Sequence, residues 1–234
     1  MKRATQNINY GSKPLPGDGG EKAPKSEVTR ERILRAARRV FAEHPYNAAS
    51  FRMIGKEGGF EHPLINYYYP RKSDLFEAVV SEICDEFYQA NLACFEGLDR
   101  MAPDEGLSLY LDRFLDFNVE NPEPLRIMML NASQIDRVDE IPGYQHIPEV
   151  MARTRRTFEE MANLKAPPEE IGMFQNSFNA LVFFYLGAGV CQAEILGMDP
   201  HSPSYRKWVK DTLMYLFLPH LEKLILPDQE SGRG

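Results

Sequence analysis

The chain has 234 residues, 43% hydrophobic and 26% charged, with a net charge of −7. That balance is ordinary for a soluble globular protein and leaves ample chain for a sizeable core. Its three scattered cysteines, without a CxxC pair, exclude a disulfide framework and a cysteine zinc site.

The charge is unevenly spread. Residues 1–80 carry 14 Lys/Arg against 9 Asp/Glu, and residues 81–234 carry 13 against 25. A cationic first third on an acidic body suits contact with a polyanion. No apolar N-terminal stretch reads as a signal peptide. The longest apolar run, Ala180–Val190, is shorter than the roughly 18 to 20 residues that span a bilayer. The expectation is a cytoplasmic protein with no membrane partner.

Residues 1–26 are rich in Gly, Pro, Lys and Asn without periodicity, and read as a disordered basic leader. Helical punctuation starts at Thr29, with Ser26 a competing cap. Ile33, Ala37, Val40 and Phe41 then recur at helical spacing among surface arginines. Pro45 closes that helix. Ser50 caps a short helix, FRMIGKEG, which Gly58–Gly59 ends. A third, very short helix runs from about Pro63 to Tyr68 and is stopped by Pro70. A long pattern follows from Ser73 to about Leu98. Further helices are expected at 104–120, 123–133, 148–164, 168–197 and 203–225, with prolines at nearly every junction. No stretch alternates with period two, so the fold class is all-α. The expected divisions are the leader, a helix-turn-helix head at 27–72, a larger helical body at 73–226 and a flexible tail at 227–234.

Three short helices with a glycine turn between the second and third make a helix-turn-helix arrangement. One helix enters the major groove while the preceding one lies across the backbone. Ser50 and Arg52 open the second helix, where free N–H groups and the dipole favour phosphate. Ser50 serves equally as a simple cap.

The head then becomes specific. T-x-x-x-I-L-x-A-A-x-x-x-F runs from Thr29 to Phe41, S-[apolar]-R-x-I from Ser50 to Ile54, and [aromatic]-[aromatic]-P-x-K-x-x-L from Tyr68 to Leu75, with a turn at Gly59–Phe60. In one register over about fifty residues, this resembles the DNA-binding domain of the TetR family of bacterial transcriptional repressors. The resemblance implies that Phe60 is buried between helices and that His62, Pro63, Leu64 and Asn66 face bases. It implies phosphate contacts from Tyr67, Tyr68 and Lys72, a DNA contact from Arg52, and a core position for Tyr69. Leu64 offers only an apolar contact, for example to a thymine methyl, and Asn66 can pair with adenine. Glu61 would repel phosphate, accept from a cytosine amine, or cap the short helix.

The body holds no catalytic constellation, no histidine spacing for a shared metal and no phosphate loop, so neither enzyme activity nor a cofactor is expected. MARTRRTFEEM reads as a charged amphipathic helix with a solvated face. The resemblance implies a homodimer through the helices near 168–197 and 203–225, and a small-molecule effector in the body. Apolar residues with a few polar anchors suit such a pocket. The candidates are Phe114, Phe117, Met128, Asn131, Phe174, Gln175, Phe178 and Asn179, with Met129, Gln134 and Tyr185 as further possibilities. The leading expectation is a repressor that binds a palindromic double-stranded DNA operator and is released by a lipophilic or aromatic effector. An architectural DNA-associated or protein-binding factor without an effector is the alternative. A small helical enzyme would leave the DNA head unexplained.

Overall fold

The computed structural model describes residues 25–132, 141–162, 164 and 166–225. The expected leader up to residue 24, Gln134 and the tail lie outside the described residues. Among the described residues all regular structure is helical: α1 (Lys25–Glu43), α2 (Phe51–Gly58), α3 (His62–Tyr68), α4 (Lys72–Phe95), α5 (Pro103–Glu120), α6 (Glu123–Ala132), α7 (His146–Met161), α8 (Pro168–Val182), α9 (Gly189–Ile195) and α10 (Pro203–Ile225).

Helix α1 buries Ile33, Ala36, Ala37, Val40 and Phe41, a stripe at i, i+3, i+4, i+7 and i+8. It starts at Lys25, earlier than either expected cap. Thr29 lies inside it and spends its hydroxyl on the Lys25 carbonyl, 2.9 Å away. The stripe packs on α2, α4 and α6. Helix α4 runs unbroken from the head into the body and buries Leu75, Phe76, Val79, Val80, Ile83 and Phe87 along its length. A single apolar core therefore continues from Ile33 in the head to Leu221 in the body. In the body α4 packs on α5, α6 and α7, while α10 packs on α5 and α8.

The expected helix over 168–197 is two helices. A π-helical turn, Phe183–Gly187, follows α8, and the combined segment Pro168–Gly187 meets Gly189–Ile195 at 79°. Gly187 supplies the physical reason. A Cβ there would stand 3.0 Å from the Leu125 carbonyl oxygen and 3.1 Å from Met129 Cβ. The wide turn brings the backbone close against α6, where a side chain would force α6 to give by a few tenths of an ångström. No single helix among the described residues is long and apolar enough to cross a membrane.

Candidate nucleic-acid interface

The head is built by local signals. Ser50 has extended dihedrals and its Oγ accepts from Met53 N at 3.4 Å, so it caps α2. Gly59 ends α2 at φ 68°, and its N–H donates to the Gly55 carbonyl. That left-handed residue turns the chain sharply enough for α3 to cross α2. The preceding position is tight in another way: a Cβ on Gly58 would fall 2.1 Å from the Phe60 ring. Phe60 is half-buried rather than enclosed, and Arg32 covers its face at 5.2 Å.

Helix α3 anchors itself through Ile65 and presents nearly everything else. His62, Pro63, Leu64, Asn66 and Tyr67 are exposed, and Tyr67 is 79% accessible. Glu61 sits at the N-cap position, yet its side chain makes no capping hydrogen bond. Pro63 lies in the first turn, where a missing N–H costs nothing. Asn66 Nδ2 lies 3.2 Å from His62 Nδ1, one turn back on the same face. His62 is in turn held edge-on to Phe51 at the start of α2, 5.6 Å between centroids. An amide nitrogen carries two N–H groups. Asn66 can therefore keep His62 and still offer Oδ1 and one N–H to a base edge.

The three consecutive tyrosines separate, Tyr67 and Tyr68 in the last turn of α3 and Tyr69 just past it in extended backbone. Tyr69 is 3% exposed, and its hydroxyl accepts from Arg30 Nε at 3.2 Å. Tyr68 is half-buried, and Tyr67 stands outside it, edge to face at 5.2 Å. Arg52 is exposed at the start of α2.

Lys72, expected at a phosphate, is drawn inward instead. Its Nζ donates to the carbonyls of Tyr46 (2.7 Å) and Ala49 (2.9 Å) and lies 4.4 Å from the Tyr46 ring centroid. Burial holds its pKa below the usual lysine value. It pins the loop between α1 and α2 to the start of α4, with one N–H to spare.

The same loop is held from the body. Asn131, 1% exposed, accepts from Tyr46 N at 2.9 Å and donates to the Ile127 carbonyl at 2.8 Å. Arg38 on α1 forms a bidentate pair with Glu86 on α4, both contacts 2.6 Å, and lies 3.6 Å from Glu123 on α6. Sequence reasoning missed this junction, because its partners are 48 to 85 residues apart.

A cavity of about 460 Å³ lies between the far end of α4, the start of α5, α7, α8 and the end of α10. Of the expected pocket residues, Phe174, Gln175, Phe178 and Asn179 line it. Phe114, Phe117, Met128, Asn131, Met129 and Tyr185 do not. Phe114 is packed among Phe87, Tyr110 and Phe117 in the core, and Asn131 belongs to the junction. Helix α7 is not simply a solvated face. Its Thr154, Phe158 and Met161 line the cavity at i, i+4 and i+7, a helical spacing that does not by itself distinguish a core face from a cavity wall. Among the described residues no cluster of His, Cys, Asp or Glu is placed to hold a metal ion.

These features define a helix-turn-helix head with an outward-facing α3, joined to an all-helical body that contains a cavity. Residues 33–79, within this head, match the family described as "Bacterial regulatory proteins, tetR family". The chain is similar to the HTH-type transcriptional repressor NicS of Pseudomonas putida, 28% identical over 109 residues, covering 47% of this chain and 50% of NicS. It is also similar to the HTH-type transcriptional repressor SCO4008 of Streptomyces coelicolor, 33% identical over 102 residues, 44% of this chain and 48% of the relative. The aligned chain thus spans about half the length of these curated relatives. Among solved structures, a TetR-family regulator from Agrobacterium tumefaciens matches with a TM-score of 0.60 at 20% identity, over 85% of this chain and 98% of the other. A tetR-family regulator from Streptomyces coelicolor matches at 0.57 and 17%, over 86% and 90%. At these identities the structures speak for a shared fold, and that fold extends through the body.

Proposed function

We propose that this protein is a ligand-responsive transcriptional repressor, a regulator rather than a catalyst, that binds a palindromic operator as a homodimer in the bacterial cytoplasm. The observation that carries the reading is α3: it buries one residue, Ile65, and offers His62, Pro63, Leu64, Asn66 and Tyr67 to a groove. Asn66 suits an adenine edge and Leu64 a thymine methyl. Ser50, Arg52, Tyr67 and Tyr68 flank that face and suit phosphates. The two similar curated proteins are both named transcriptional repressors, which favours repression.

Dimerisation through α8 and α10 is supported by apolar side chains left outside. Met173 and Phe184 are exposed on α8 and its π turn, and Tyr215 (81%) and Leu216 on α10. Single exposed apolar residues are common, but two adjoining helices that both carry them suit an isologous interface. The cavity suits an effector, since its size lies in the roughly 300–1,000 Å³ range of small-molecule sites. An effector that binds best when the paired heads are wrongly spaced for DNA shifts the population away from the operator. The Arg38–Glu86–Glu123 and Asn131–Tyr46 contacts are the groups through which such a change reaches the head.

Selection from a pool of genomic fragments tests the reading. One enriched palindromic motif, bound by two chains, is the expected result. Broad, salt-sensitive binding without a motif would sink the repressor and leave an architectural role.

A further inference from the structure

The chemistry of the cavity wall narrows what can occupy it. Phe158, Phe174 and Phe178 form a row of nearly parallel rings, with interplanar angles of 9° and 10° and centroids 5.9 and 6.2 Å apart. Such a row is extended best by another flat ring, because offset-stacked aromatics sit at centroid separations of about 4.5–7 Å. An alkyl chain gains no such contact.

Charge at the wall is already compensated. Arg155 lines the cavity, but its Nε donates to Glu159 Oε1 at 2.7 Å and a second nitrogen to the Pro168 carbonyl at 3.2 Å. Asp99 at the rim is half-exposed, with Arg100 at 3.7 Å. Among the described residues, neither an anion nor a cation finds an unpaired counter-charge there, and a desolvated charge without one is costly.

Hydrogen bonding is not compensated. Among the described residues, Thr154 Oγ1 on α7 and Gln175 Oε1 on α8 are buried without a partner. Asn179, one turn after Gln175, has among the described residues a single weak contact, 4.0 Å from its Nδ2 to Met151 Sδ. Buried polar groups without partners are uncommon in native proteins, and these belong to residues lining the same cavity.

We propose that the occupant is an uncharged, planar aromatic molecule carrying a hydroxyl or N–H group that bonds to the Thr154 and Gln175 side. The proposal rests on the reading of this cavity as the effector site. Naphthol, naphthalene, naphthoate and dodecanol are matched probes for each part of it, titrated calorimetrically into the full chain. Naphthol should bind saturably and about tenfold more tightly than naphthalene, which cannot satisfy the polar side, and than naphthoate, which brings a charge. Dodecanol, with a hydroxyl but no ring, should bind more weakly than naphthol. Thr154→Val with Gln175→Leu should erase the preference for naphthol over naphthalene while naphthalene affinity persists, which also reports that the variant is folded. Equal or tighter binding of naphthoate or dodecanol, or no saturable binding of naphthol to the parent chain, overturns the proposal. So does an unchanged naphthol preference in a variant that still binds naphthalene. The selected operator duplex, titrated with and without naphthol, separates the two readings. Naphthol bound with DNA affinity intact supports the occupant's chemistry and overturns the effector role instead.

Discussion

Lys72→Met tests whether the ammonium serves the fold or the DNA. The substitution keeps a stem that packs beside the Tyr46 ring and removes the donors to the Tyr46 and Ala49 carbonyls. Hydrogen bonds to a charged group contribute about 1.5–3 kcal/mol when sheltered. The ammonium is only partly sheltered, so about 1–2 kcal/mol is the reasonable loss. For a chain of this size that lowers Tm by about 2–8 °C. In urea the midpoint should fall with the slope m unchanged, because the surface exposed on unfolding is the same. A phosphate contact would behave otherwise: losing it lowers the salt dependence of DNA binding by about 0.9 in log–log slope. The expected result is a lower midpoint with the salt slope intact. An unchanged midpoint with a slope reduced by about one unit would refute the argument and return Lys72 to the phosphate backbone.

Other substitutions probe the turn, the junction and the thiols. At Gly59 (φ 68°) a Cβ would meet nothing within 4 Å, so Gly59→Ala should cost only about 1–2 kcal/mol of left-handed strain. At Gly58 the Cβ would enter the Phe60 ring, so Gly58→Ala should cost more and also weaken DNA binding; equal urea midpoints for the two variants would contradict this. Burial first, then neighbouring Glu86, raises the Glu82 pKa, while Arg38 opposes. Ionised Glu82 therefore subtracts from stability above its folded pKa, and the cost fades as pH falls through that value. Glu82→Gln should raise the urea midpoint at neutral pH and lose the advantage below about pH 4, where the unfolded carboxyl is also protonated; a pH-independent gain would rule the charge out as its cause. Burial pushes the Cys84 and Cys94 thiols up to about 12, while Cys191 is exposed. A thiol reagent at neutral pH should label native protein at Cys191 and unfolded protein at all three cysteines; early labelling of Cys94 would contradict its burial.

The head was legible because its signals are local. Ser50, Gly59, Pro63 and Pro70 mark chain ends and turns by their own stereochemistry, and the sequence places α2 and α3 to within a residue. Tyr69 turns inward just past the end of α3, in extended backbone before Pro70. Lys72 was not legible, since nothing in its neighbours says that two loop carbonyls lie within reach. The body illustrates the same limit. Phe114 and Phe158 both sit at helical spacing among polar residues, yet one fills the core and the other lines the cavity. Which of them meets empty space depends on how segments far apart in the chain converge, and periodicity carries no information about that. The break at Gly187 was hidden for the same reason, because the pressure on that residue comes from Leu125 and Met129 on another helix.

Helix α4 begins at Lys72, beneath the head, and ends at Phe95, on the cavity wall. Its 24 residues make a rod about 36 Å long. A rod of that length converts small angles into useful distances. A tilt of about 5° about one end carries the other through about 3 Å, close to the rise of one base pair along DNA. A cavity next to the tip of such a rod needs no large rearrangement to be felt at its base. A ring wedged beside Phe95 that leans the helix by a few degrees is enough, provided Arg38, Lys72 and Asn131 keep the head moving with the rod rather than slipping on it.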